Sequence, residues 1–205
     1  MKIRHRKYPF YHTLIEDYAN EYELQMITKE ISGYNKLQMR AVQMRMGGRL
    51  DPHHEHLLLE NKSEAYCADD ICKDNRSKSY VLEFGRKIFH LGLEKYVKQN
   101  PLLGFIPLST EDLTYVQRYQ NGSYYHTHCD RSVLTAVHLI YVQDFKGGEL
   151  YFEDCNNYSP RLKHNSCIIF SGYENHGVKE IKSHYKGYIR YSINQRLYLR
   201  SNNDS

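Results

Sequence analysis

The chain has 205 residues, 40% of them hydrophobic and 25% charged, which suits one globular domain large enough to bury a core. Its 28 basic residues barely outnumber 24 acidic ones, giving +4, so it lacks the dense basic patch of a dedicated nucleic-acid binder. No apolar run approaches the roughly 18 residues of a membrane span, and the basic start, Met1 to Phe10, lacks the apolar stretch of a signal peptide.

The five cysteines, Cys67, Cys72, Cys129, Cys155 and Cys167, are odd in number and match no zinc-ligand spacing. They read as reduced thiols, which implies a cytoplasmic protein. Residues 1–19 read as a basic lead with a short apolar piece, Tyr8 to Tyr11. Asn20 with Glu23 forms a capping-box pattern. It starts a helix from Glu21 to Ile31 that buries Leu24, Ile27 and Ile31. Ser32-Gly33 ends it.

Lys36 to Met46 alternates in part and reads as a strand, stopped by Gly47-Gly48. His53, His54, Glu55 and His56 follow a proline, have no fixed ligand geometry, and read better as a polar loop than as a metal site. Asn61 to Lys78 is polar and reads as loop with at most a short helical turn. Ser79 caps a helix expected from Tyr80 to Lys98, with Val81, Phe84, Ile88, Leu91 and Val97 on its buried stripe. Asn100-Pro101 stops it.

From Leu113 the chain reads as short strands with turn punctuation: Leu113 to Tyr119, Tyr124 to His128, Val133 to Val142, Glu149 to Phe152, Cys167 to Phe170 and Tyr188 to Tyr198. Such spacing implies a sandwich or barrel. Helices early and strands late give an α+β layout in one domain: mainly helical support and loops over 1–112, a β core over 113–200.

Within that core, His128-x-Asp130 puts an imidazole and a carboxylate on one strand face. A third ligand would complete the two-histidine, one-carboxylate face of a non-haem Fe(II) oxygenase, with positions left open. His176 is the best third ligand. His126 shares a face with His128 on an unbroken strand, so geometry alone leaves a His126/His128 pair open. His164 and His184 are rivals to His176, but both sit in lysine-flanked polar stretches. His138, in an apolar strand, reads as a core histidine.

From Leu113 onward the sequence resembles the prolyl 4-hydroxylase-like branch of the Fe(II)/2-oxoglutarate dioxygenases. The pattern Y-x-x-G-x-x-(Y/F)-x-x-H-x-D is filled by Tyr119, Gly122, Tyr125, His128 and Asp130. Leu139-Ile140-Tyr141, the hairpin Gly147-Gly148-Glu149-Leu150, His176-Gly177-Val178 and Arg190-Tyr191-Ser192 follow in the family's order. The resemblance implies a double-stranded β-helix (jelly-roll) core. It implies Fe(II) on His128, Asp130 and His176, with 2-oxoglutarate and O2 as co-substrates and ascorbate as reductant.

In that scheme Arg190 grips the distal carboxylate of 2-oxoglutarate, with Ser192, Tyr119 and Tyr141 beside it. Lys186 is the rival cation, although Lys186-Gly187 reads as turn. The reaction implied is hydroxylation of an unactivated C–H with release of succinate and CO2. The substrate implied is a prolyl residue in a peptide or protein. The alternatives are a free amino-acid or small-metabolite hydroxylase and a non-catalytic β-barrel binding protein. Nucleic-acid demethylation would want a basic groove and a base-stacking lid, and neither is visible. Asp130 argues against halogenation, where chloride takes the carboxylate's place.

Overall fold

A computed structural model describes residues 1–34, 63–73 and 75–199. The expected strand at Lys36 to Met46 and the polar loop at Asp51 to His56 lie outside the described residues. Twelve strands occur among those described: β1 Lys2–Arg6, β2 His12–Glu16, β3 Glu64–Cys67, β4 Glu111–Gln120, β5 Tyr125–His128, β6 Leu134–Tyr141, β7 Lys146–Gly147, β8 Leu150–Phe152, β9 Ser166–Phe170, β10 His176–Val178, β11 Ile181–Lys182 and β12 Tyr188–Tyr198. The α-helices are α1 Glu21–Ser32, α2 Ala68–Ile71 and α3 Tyr80–Arg86.

A seven-stranded antiparallel sheet runs β1-β2-β9-β6-β12-β4-β3, and a three-stranded sheet β5-β10-β8 faces it. Strands β7 and β11 form a small ribbon. This is the α+β, double-stranded β-helix arrangement. Alternation sorts the core into two layers. Ala136 and Ile140 on β6, with Ile193 and Leu197 on β12, pack outward under α1 and α3. Val137, Ile168 and Phe170 point inward, against Leu150, Phe152 and Val178 of the smaller sheet.

Helix α1 starts as its sequence predicts. The Asn20 side chain accepts from the Glu23 N–H, and the Glu23 carboxylate accepts from the Asn20 N–H. Ser79 caps α3 by accepting from the Leu82 N–H. That second helix is much shorter than its apolar stripe suggests. It ends at Arg86 and continues as 3-10 turns at Lys87–His90 and Leu93–Tyr96. Gly92 between them has φ of 60°, a left-handed conformation no α-helix accommodates.

The first 19 residues supply two strands rather than a loose lead. β1 and β2 extend the main sheet, with Thr13 opposite Ile169 and Ile15 opposite Cys167. Residues 64–67 add the opposite edge as β3, where the sequence suggests loop. Arg118, buried on β4, fixes the end of α1 to this edge. Its guanidinium donates to the carbonyls of Ile31 and Tyr34 and to the Tyr66 hydroxyl. The five cysteines are free thiols. No helix among the described residues is long and apolar enough to cross a membrane.

Candidate metal centre

His128 closes β5 and lies directly opposite His176, the first residue of β10. Asp130 follows two residues after His128. Its N–H and that of Arg131 both donate to the Gly172 carbonyl, at 2.8 and 3.0 Å, which pins the Asp130 turn to the loop leading into His176. One atom from each of His128, Asp130 and His176 can be chosen so that all lie within 4.8 Å of one another. His128 Nε2 is 3.4 Å from Asp130 Oδ1, and His176 Nε2 is 3.6 Å from Oδ2.

Both imidazoles are oriented in the same way. His128 Nδ1 donates to the His126 carbonyl at 3.0 Å, and His176 Nδ1 donates to the Glu174 carbonyl at 2.8 Å. A carbonyl only accepts, so the proton sits on Nδ1 and the Nε2 lone pair faces the carboxylate. Burial, then the neighbouring His128, pushes the His176 pKa down to about 4, which keeps its ring neutral. Burial alone would raise the Asp130 carboxyl, but Arg196 and then His128 hold it far below the usual range. Thr135 Oγ1 donates to Asp130 Oδ2 at 2.7 Å, while Oδ1 accepts no aligned hydrogen bond. Two imidazole Nε2 atoms and one carboxylate gathered in one cluster fit a divalent metal with open positions.

The position of His126 answers the pairing that alternation leaves open. Strand β5 carries an irregularity, so His176 faces His128 while Val178 faces Tyr125. Three residues of β10 therefore span four of β5, which breaks the two-residue alternation. Tyr125 is buried with its ring 4.7 Å from that of His128, and His126 is outside the three-residue metal cluster. His164 and His184 are exposed. His138 points to the outer layer, between the rings of Tyr18 and Phe84.

Arg190 is completely buried on β12. Its guanidinium carbon lies 4.7 Å from the centroid of the Tyr119 ring, and Nη1 donates to the Gly148 carbonyl at 2.7 Å. Nε and Nη2 have no hydrogen-bond partner. A buried guanidinium with unmatched donors is costly unless a ligand meets it. Lys186 is exposed. The Tyr119 hydroxyl donates to Gln117 Oε1 at 2.6 Å, so this tyrosine meets Arg190 through its ring face. Ser192 donates to Asn194 Oδ1 at 3.1 Å, and Asn194 donates to Gln117 Oε1 at 3.0 Å. Tyr141 pairs with Arg190 in register, yet it is half-buried and stacks with Phe145 and His164.

The residue that motif reading passes over is Arg196. Its Nη2 lies 2.5 Å from Asp130 Oδ1, and its guanidinium carbon is 4.7 Å from the Tyr115 ring centroid. Alternation could have found it. Arg190, Ser192, Asn194 and Arg196 form one polar row, while Tyr191, Ile193 and Leu197 form the apolar face behind.

Residues 114–198 match the family model described as the 2OG-Fe(II) oxygenase superfamily. No curated protein sequence matches the chain. Among solved structures, a Pseudomonas putida prolyl-4-hydroxylase is similar at 15% identity and TM-score 0.54, over 93% of each chain. A Trichoplax adhaerens prolyl hydroxylase, solved with a hypoxia inducible factor peptide fragment, is similar at 12% identity and TM-score 0.56, over 92% of this chain and 83% of that one. OsALKBH1 is similar at 10% identity and TM-score 0.56, over 95% and 99%. At these identities the likeness concerns the fold. The 2OG-Fe(II) oxygenase match over residues 114–198 takes in all three members of the His128–Asp130–His176 cluster, and together they support an oxygenase enzyme that uses Fe(II), 2-oxoglutarate and O2.

Proposed function

We propose that the enzyme hydroxylates a prolyl residue in a peptide or protein substrate, turning 2-oxoglutarate into succinate and CO2, with ascorbate as supporting reductant. The observation that carries the co-substrate assignment is the guanidinium of Arg190. It is buried, stacked on Tyr119, and keeps Nε and Nη2 free on one side. A carboxylate satisfies two such donors with two parallel hydrogen bonds. His128, Asp130 and His176 would hold Fe(II), which supplies the oxygen chemistry when bound. Ser192 and Asn194 lie between Arg190 and Arg196 on β12, and Gln117 joins them from β4. These side chains already satisfy one another, so they give a pre-ordered polar row beside Arg190.

The prolyl substrate is supported by the family pattern and by the two prolyl hydroxylase folds, one of them solved with a peptide. The whole chain is proposed to act as a single domain, and the free thiols suit a cytoplasmic location.

The test is succinate formation with Fe(II), ascorbate and 2-oxoglutarate against proline-containing peptides and free amino acids, with H176A beside wild type. Metal-dependent stimulation by a peptide, lost in H176A, is the expected result. Stimulation by a free amino acid alone would replace the peptide reading with a small-metabolite hydroxylase.

A further inference from the structure

We propose that Arg196 sets how tightly this centre holds its metal, by lending its charge to Asp130 when the metal is absent. The inference rests on the metal reading of the centre and adds a residue to it.

Arg196 is on the pocket face of β12, opposite Thr135 of β6 and Leu113 of β4. Its side chain is 12% exposed and that of Asp130 is 2% exposed, so the pair is largely shielded from water. The contact is between charges more than along a hydrogen bond. Arg196 Nη2 lies 2.5 Å from Asp130 Oδ1, yet Oδ1 accepts no aligned bond and Arg196 Nε has no partner. Arg196 lies against Oδ1 and Thr135 donates to Oδ2, and each carboxylate oxygen has a second lone pair for a metal. The two contacts hold the carboxylate plane in place.

The same geometry has a cost for metal binding. A buried carboxylate without a counter-charge is strongly unfavourable. Arg196 removes that penalty in the metal-free protein. A divalent ion arriving at the carboxylate then shares it with a guanidinium a few ångströms away, where like charges are poorly screened. Whatever stabilises the metal-free form more than the metal-bound form lowers affinity for the metal. Arg196 should thus raise metal-free stability and weaken metal binding. A merely structural arginine would support both.

That opposition is the test. Co(II) binding is measured by titration calorimetry on wild type, R196Q and R196K, with thermal unfolding of each metal-free protein alongside. R196Q removes the charge and keeps a planar donor. It is expected to lower metal-free stability while tightening Co(II) binding by about tenfold or more. R196K keeps the charge and is expected within about threefold of wild type. R196M serves as the second neutral variant if R196Q does not fold. Neutral variants that bind Co(II) as weakly as wild type, or more weakly, overturn the proposal. Failure of wild type to bind Co(II) would instead overturn the metal reading of the centre.

Discussion

The guanidinium of Arg190 lies against the face of Tyr119, 4.7 Å from its centroid, and this contact orients the two N–H groups that meet no protein acceptor. Burial lowers the Arg190 pKa, and the ring face of Tyr119 offers its quadrupole to the buried guanidinium. R190A should raise the KM for 2-oxoglutarate by roughly ten- to a hundredfold, the worth of charged hydrogen bonds of about 1.5–3 kcal/mol. K186A should leave it within about twofold, because Lys186 is exposed in the loop before β12. A steep KM rise in K186A with none in R190A would transfer the carboxylate to the lysine.

Gly177 lies between His176 and Val178 at a point with no room for a side chain. A Cβ there would come within 2.7 Å of the Tyr151 ring and 2.8 Å of the Tyr125 backbone carbonyl. Tyr151 crosses β10 at this glycine and shares a hydrogen bond of 2.8 Å with Thr127 on β5. G177A should push β10 from β5, separate His128 from His176, and weaken Co(II) binding by about tenfold. Pairing it with Y151A should restore little, since the carbonyl remains. Calorimetric titration of the three proteins checks this.

Arg118 predicts a loss of stability with no effect on the metal. Its donors serve two carbonyls at the end of α1 and the Tyr66 hydroxyl. R118A leaves those acceptors unmatched in a buried setting, which should cost about 2–4 kcal/mol in urea unfolding. Co(II) affinity of the folded variant should stay within about twofold, as Arg118 faces the helical layer.

His138 gives a pH dependence. Its ring is fully buried on β6, with Nδ1 unpartnered and Nε2 only 3.9 Å from the Cys167 sulfur. Burial pushes its pKa from 6.5 down to about 3. The native ring therefore stays neutral while the unfolded chain takes up a proton below about pH 6.5. Stability is unaffected above that pH and falls as pH drops from 6.5 towards 3. Between pH 7 and pH 5 wild type should lose about 1–2 kcal/mol more than H138F. Parallel losses in the two proteins would remove His138 as the source.

Patterns repeated within one element were legible in the sequence. Alternation places Tyr188–Tyr198 on a strand with the bounds the structure shows, and Asn20 with Glu23 marks the start of α1. Patterns completed by a distant partner were not. Lys2 to Arg6 reads as a charged lead because what makes β2 a strand is β9, some 150 residues away, and β1 depends on β2. The β5 irregularity was equally hidden, since the side of His126 is decided by the register of β10. His128, Asp130 and His176 stood out through residue type and spacing together with the family resemblance of the motifs around them. Arg196 needed the strand faces, because an arginine outside any motif says nothing until its neighbour is known to be the carboxylate of a candidate metal cluster.

The clasp between each metal-facing imidazole and the carbonyl two residues before it has a wider consequence. The hydrogen bond that orients each ring lies within a single tripeptide. His126-Thr127-His128 and Glu174-Asn175-His176 are thus self-contained modules, and the barrel has only to bring two of them face to face. Such a module is transferable: a designer seeking a bis-imidazole site could graft the pair onto any two antiparallel strands of matching register and expect both Nε2 atoms to converge.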